Sequence, residues 1–225
     1  ISRCAVGKVL TVGQLADAFL RLQEQNANNI NLVTGSHFTP WIVQALELTK
    51  PKMHIPVVWN CGGYESLEIL HMLDGLVDIY LPDLKFYTAE TAKAYANCPD
   101  YFSVASKAIL EMYRQVEALS WNGDLLERGL MVRHLVLPGC IDNSLGVLDW
   151  IAESFPKKDV LVSLMSQYVP MGRAKTMPPL DRRITQEEYD AVLSYLYLLE
   201  LDNGYTQDFS AATAEYIPDF DLEGL

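Results

Sequence analysis

Asp83 and Lys85 stand two residues apart, directly after the apolar run 76–81 (LVDIYL) and Pro82. If a strand extends that far, both side chains lie on one face. A carboxylate there can accept from an ammonium and a lysine can meet a carboxylate. That pair suits the head group of an amino acid. Lys85 at a strand end also allows a second, less supported reading, a Schiff-base nucleophile toward a carbonyl substrate. Arg133 lies with His134 inside 130–137 (LMVRHLVL), a run otherwise rich in Val and Leu. A guanidinium is costly to bury unpaired, so Arg133 calls for Asp83 or for an anionic ligand. Three further apolar runs are each followed by polar residues: Thr34-Gly35-Ser36-His37, Asn60-Cys61-Gly62-Gly63 and Ser166-Gln167-Tyr168. Singly these have plain explanations. Gly-Gly makes a turn, His37 caps a helix, and an Asp83–Lys85 pair at a surface is worth roughly 1 kcal/mol or less. Five such ends together describe the rim of one pocket for a polar ligand.

The elements that must position these residues alternate regularly. Apolar spacing predicts helices over 12–22, 41–48, 66–73, 89–96, 102–119, 146–154 and 185–201, the last opened by a Thr185-to-Glu188 cap. Strands are predicted over 29–33 (NINLV), 55–59 (IPVVW), 76–81, 130–137 and 160–165 (VLVSLM). Helices between strands imply a parallel sheet, either a barrel or a doubly wound sheet, and periodicity does not choose between them. In both, a ligand site forms at the carboxyl ends of the strands, where the polar residues fall. Residues 1–201 read as one α/β unit, and 202–225 as an acidic tail of irregular or partly ordered structure.

Composition narrows the classes of function. The chain has 225 residues, half of them hydrophobic, enough for one sizeable core. Seventeen Lys and Arg against 29 Asp and Glu leave a net charge of −12, the wrong sign for a nucleic-acid partner or an acidic membrane. There is no apolar run of the roughly 20 residues that cross a bilayer, and no secretory signal, so the sequence reads as cytoplasmic. Cys4, Cys61, Cys98 and Cys140 are scattered singly, without metal-ligand spacing, and read as free thiols.

Five segments in order, NINLVTGSHFTPWI (29–42), VVWNCGGYESLE (57–68), VDIYLPDLKFY (77–87), VRHLVLPG (132–139) and LMSQYVP (164–170), resemble radical S-adenosylmethionine (SAM) proteins similar to pyruvate formate-lyase activating enzyme. The resemblance covers roughly residues 13–199. It implies a partial (β/α)6 barrel of the TIM type, with about five of its parallel strands present here. It also implies an oxidoreductase in which a [4Fe-4S] cluster binds SAM and, once reduced, cleaves it to a 5′-deoxyadenosyl radical. In activating enzymes that radical takes a hydrogen from a glycine of a partner, a glycyl-radical enzyme such as pyruvate formate-lyase, and flavodoxin or ferredoxin donates the electron.

Carried over by position, Thr34, Gly35, Ser36 and His37 stand at a Gly-Gly-Glu type loop that meets the SAM amino group, with His37 where the family has its acid. Asp83 and Lys85 match an Asp-Leu-Lys strand end at the methionyl moiety. Asn60, Arg133, Gln167 and Tyr168 fall at pocket positions, Tyr168 near the nucleoside. The cluster motif Cys-x3-Cys-x2-Cys occurs nowhere in the chain. Three thiolates are the minimum for such a site. The expectation is that the first strand and its cysteine loop lie upstream of Ile1, and that this chain alone carries no catalytic residue and no metal. Two other readings stay open: a cluster-independent barrel enzyme using Lys85, and a non-catalytic scaffold that binds SAM or a partner.

Overall fold

The computed structural model describes residues 7–209. The N-terminal helix α1 (Val12–Glu24) begins at a capping box in which Thr11 and Gln14 satisfy each other's backbone amides. It leads into β1 (Ile30–Val33), a short 3-10 turn (Gly35–Phe38) and α2 (Thr39–Thr49). Then follow β2 (Val57–Cys61), α3 (Leu67–Leu73, capped by Ser66), β3 (Ile79–Pro82), α4 (Ala89–Ala96) and α5 (Tyr101–Val116). The chain continues through β4 (Ser120–Asn122), β5 (Leu125–Leu135), α6 (Ile141–Ser154) and β6 (Val160–Met165). It closes with a 3-10 turn (Gly172–Thr176), α7 (Gln186–Leu198) and β7 (Gly204–Thr206). The predicted box at the start of α7 is present, with Thr185 and Glu188 bonded reciprocally.

The sheet order is β1-β2-β3-β5-β6-β7, all parallel, with β4 paired antiparallel to β5. Sequential order with right-handed crossovers puts the connecting helices on one face. Burial follows that division. Leu130, Val132 and His134 of β5, and Val162 and Leu164 of β6, are buried beneath the helices, whereas Met131, Arg133 and Leu135, and Ser163 and Met165, are only half-buried on the opposite face. The sheet therefore has one dry face and an inner face that is accessible toward the carboxyl ends of the strands, with Val58, Ile79 and Leu161 buried on it nearer their starts, as in a partial barrel. β1 ends the order with a single neighbour, and Val33 at its tip is 63% exposed, so among the described residues this strand is a sheet edge. No helix among the described residues is long and apolar enough to cross a membrane.

Departures from the sequence expectations fall at α6, which begins at Ile141 rather than 146, at the unpredicted β4 with its partner β5, and at β7. The five predicted strands are all present, but β5 begins at Leu125, five residues before 130. It folds back on β4 through a two-residue Gly123-Asp124 loop, with Asn122 opposite Leu125. Gly123 takes φ +60°, the conformation a two-residue hairpin asks of glycine. Glu127 and Arg128 hid this extension because they make the outer half of the strand polar. The last departure is β7, which falls within 202–225, where irregular or partly ordered structure is expected. Its three residues join β6 in parallel, with Val162 opposite Gly204. A β-carbon at Gly204 would run into the backbone of Val162, so the close approach needs glycine, a residue that argues against a strand when read from sequence. The rest of that tail, 210–225, and Cys4 lie outside the described residues.

Replacing Gly204 by Val is expected to detach β7 and lower stability by about 1–3 kcal/mol in urea unfolding. An unchanged midpoint would mean that β7 contributes nothing to the sheet.

Candidate functional site

The ladder continues past the regular strands at one end of the sheet, and that continuation builds the site. Asn60 of β2 lies opposite Leu81 of β3, and Arg133 of β5 opposite Ser163 of β6. An isolated parallel bridge then joins Asp83 to Arg133, with the Asp83 amide donating to the Cys61 carbonyl and the Leu84 amide to the Arg133 carbonyl, both at 2.9 Å. Residues level across parallel strands share a face, so Asn60, Asp83 and Arg133 meet on the accessible side. Arg133 donates to Asn60 Oδ1 at 2.7 Å, and its Nη2 lies 2.6 Å from Asp83 Oδ1. Lys85 Nζ lies 3.2 Å from the other carboxylate oxygen, Asp83 Oδ2.

One carboxylate thus carries two cations. The exposure is graded: the Asp83 and Arg133 side chains are 18% and 24% exposed, that of Lys85 46%. Lys85 stands at the mouth and Arg133 deeper, and the three charges sum to one spare positive charge. The Arg133–Asp83 contact is close but poorly aligned for hydrogen bonding, so it counts as ionic. Asp83 Oδ1 and Arg133 Nε are both buried with hydrogen-bonding capacity left over. Buried polar atoms are rarely left in this state, and a polar ligand is one way to complete them.

The loop after β1 joins this rim through its backbone. The Thr34 amide donates to the Asn60 carbonyl at 2.8 Å. Thr34 itself is left-handed, φ 55° and ψ 42°, which is uncommon for a residue with a β-carbon. Gly35 packs against the Trp59 ring, where a β-carbon would come within 2.9 Å. Ser36 donates to Glu65 Oε1 at 2.6 Å, while His37 is exposed. Glu65, from the loop after β2, is 7% exposed. Burial pushes its carboxyl above the usual range, against the Ser36 hydrogen bond and the His37 charge. His37 therefore does not leave this loop without an acid, because the fold brings one from thirty residues away.

Gln167 and Tyr168, at the end of β6, belong to the same rim but are engaged elsewhere. Gln167 Nε2 lies 3.9 Å from Met165 Sδ, and the Tyr168 hydroxyl donates to the Leu180 carbonyl at 2.7 Å. The side chains joined by direct contact are Asn60, Asp83, Lys85 and Arg133.

His134 points to the helix face and is fully buried. Its Nδ1 lies 2.7 Å from the Leu84 carbonyl and its Nε2 2.8 Å from Ser144 Oγ. A carbonyl only accepts, so Nδ1 carries the proton and Nε2 accepts from Ser144. Asn143 donates to the Lys85 carbonyl and accepts from the Tyr87 amide. Together these side chains hold the segment that carries Asp83 and Lys85. Ser144, Asn143 and Glu65 escaped the sequence reading. Little in the sequence signals them: Asn143 and Ser144 are two polar residues among several in α6, and only their burial sets them apart.

A cavity of about 430 Å3 opens at the other end of the sheet, lined by Lys50, His54, Asp78 and Arg128 among others. It contains none of the predicted site residues.

No family model matches the chain. An uncharacterized protein of Methanocaldococcus jannaschii is 30% identical over 178 residues, which is 78% of this chain and 48% of that protein. The chain spans about half the length of the curated relative it matches. Among solved structures, a domain of pyruvate-formate lyase-activating enzyme from Bacteroides vulgatus aligns with TM-score 0.57 at 12% identity, over 80% of this chain and 98% of that domain. The chain shares its fold. Methylornithine synthase (PylB) aligns with TM-score 0.55 at 13% identity, over 96% of this chain and 68% of its own. SuiB of Streptococcus suis follows with TM-score 0.52 at 10% identity, over 94% and 47%. The fold is the α/β partial barrel that the sequence resemblance implies.

Burial holds His134 down at about 4, against the Leu84 hydrogen bond and the Asp83 charge, so it is neutral in the folded chain. The unfolded chain binds a proton near pH 6.5, so between pH 6.5 and 4 it holds more protons than the folded one, and stability falls as pH drops through that window. The contribution is on the order of 3 kcal/mol. Glu111 and Glu188, each held down to about 2 by an arginine, act at lower pH. Unfolding of wild type and His134→Gln compared from pH 7 to 4 should show the steeper loss in wild type. Parallel curves would mean that His134 is solvated.

Proposed function

We propose that this chain is the SAM-binding part of a radical SAM enzyme's barrel, with Asn60, Asp83, Lys85 and Arg133 at the methionyl end of the ligand. The observation that carries the reading is the pairing of Asp83 with two cations at the carboxyl rim of a parallel partial barrel. An ammonium would find Asp83, and a carboxylate would find Lys85 and the spare donor capacity of Arg133. Asn60 orients Arg133, and the half-buried setting strengthens each contact over its value in open water. Ser163 and the half-buried Leu81, Met131, Leu135 and Met165 offer a mixed polar and apolar wall for the remainder of the molecule.

The cluster is a separate matter. Among the described residues no group of three or more His, Cys, Asp or Glu side chains is placed to hold a metal. Cys61 is buried, and desolvation with the nearby Glu65 charge pushes its thiol up to about 12. Cys98 and Cys140 are free and lie apart from it in the chain. These cysteines do not fit a [4Fe-4S] cluster. In this proposal its three thiolates belong to a segment outside the described residues.

The finer reading is glycyl-radical activation in the cytoplasm, with a glycyl-radical enzyme as partner and flavodoxin or ferredoxin as electron donor. The likeness to a domain of a pyruvate-formate lyase-activating enzyme and the sequence segments that resemble that family support it.

Calorimetry of SAM with this chain is expected to give weak binding, because coordination at iron is the larger specific contribution and is not available here. Asp83→Asn and Lys85→Met should each weaken it by about tenfold, the loss of one charged hydrogen bond. Affinity unchanged in both variants would remove the site from this rim. A longer parent protein without Cys-x3-Cys-x2-Cys would remove the radical reading altogether.

A further inference from the structure

Tyr101, the first residue of α5, contributes one hydroxyl to two separate loops of the rim. The ring is 5% exposed. Its oxygen lies 2.8 Å from the Asp83 carbonyl and 3.0 Å from the Gly62 carbonyl, and accepts the Lys85 amide at 3.0 Å. The phenol thus uses its donor and its acceptor on the backbone of both residues that flank Leu84, and reaches across to the loop that follows β2, the strand of Asn60. Burial raises its ionisation, which keeps the donor proton in place at ordinary pH.

The surroundings leave this hydroxyl little freedom. Gly63, with φ +79°, lets the Asp83 carbonyl come so close that any β-carbon would collide with it. On one side the Tyr64 ring stacks on Tyr101 with centroids 6.2 Å apart and an interplanar angle of 17°; on another, Phe86 meets it edge-on at 5.4 Å. Tyr64 in turn donates to Asp100, the residue that precedes α5, at 3.0 Å.

We infer that Tyr101 is a positioning residue of the candidate site: its hydroxyl sets the separation of the two rim loops, and so the placement of Asp83 and Lys85 against Asn60 and Arg133. It touches none of those four side chains through its own ring oxygen. It acts through the backbones of Asp83, Lys85 and Gly62. A tyrosine that only filled space would keep its role as phenylalanine, whereas a positioning hydroxyl would lose it, because the Lys85 amide would lack its acceptor and the Asp83 and Gly62 carbonyls the one proton they share. The part of this inference that concerns SAM rests on the reading proposed above.

Three measurements on Tyr101→Phe test it, and two need no ligand. Amide hydrogen exchange should accelerate at least tenfold at Lys85 while Val132, in the middle of β5, is unchanged. Equal acceleration at both would show general destabilisation and overturn the inference. In urea unfolding, the effect of Arg133→Gln should differ at least fivefold in the unfolding constant between the wild-type and Tyr101→Phe backgrounds, because the Asp83 that Arg133 pairs with is no longer held. Effects that multiply within about twofold, the usual behaviour of independent sites, would also overturn it. In calorimetry, Tyr101→Phe should bind SAM about tenfold more weakly than wild type, and equal affinity would count against it. Wild-type chain that fails to bind SAM at all would sink the proposed function and leave the exchange and unfolding results to decide Tyr101.

Discussion

The contact between Asp83 and Arg133 sets the terms for the rest of the rim. It joins β3 to β5 one residue beyond the end of β3, where the ladder continues as a single bridge. A guanidinium within a strand needs a counter-charge at short range. The backbone supplies one by carrying Asp83 to the same level. Asn60 and Lys85 then take what Arg133 and Asp83 leave over, one accepting from the guanidinium and the other pairing with the second carboxylate oxygen. Removing either member of the central pair would strand the other in a half-buried setting, which is more costly than the pair itself is favourable.

Holding that pair demands support from the helix side of the sheet. The segment from Asp83 to Tyr87 has no regular secondary structure, yet its backbone groups are bonded in turn by Cys61, Tyr101, Arg133, His134 and Asn143. An irregular segment is usually mobile because its polar groups face water. Here they face side chains from β5, α5 and α6, so a loop acquires the rigidity of the elements around it. His134 is the clearest case: one strand residue shows Arg133 to the site and the next reaches through the dry face to brace the loop from behind.

The sheet itself explains why one face can carry chemistry. Sequential parallel order sends every crossover helix to the same side, so that side is sealed and the other is left accessible. Polar residues on the accessible face need only each other and solvent, and Ser163, Asn60 and Arg133 occur there beside Met131 and Met165. The same alternation on the dry face tolerates a single imidazole, and only because both of its nitrogens are bonded.

Most of this fold was legible in the chain because helix and strand periods are local properties. The five apolar strands, the helices between them and the Thr185-to-Glu188 cap all follow from residues a few positions apart. So does the polarity of the strand ends, and the Asp83-x-Lys85 and Arg133 signals with it. What the chain could not show are relations between distant residues. β7 depends on Gly204 because Val162 lies against it, and the outer half of β5 belongs to a hairpin whose polar residues disguised it. Glu65 restores a carboxylate to the Ser36 loop only because β1 and β2 are neighbours. Tyr101 and Asn143 lie just ahead of the predicted helices 102–119 and 146–154 and carry no signal until the fold brings the loop after β3 against them. Side-chain type and spacing determined which groups could bind a zwitterion, and tertiary packing decided which of them meet, because hydrogen bonds and ion pairs act over about 3 Å in space whatever their separation along the chain.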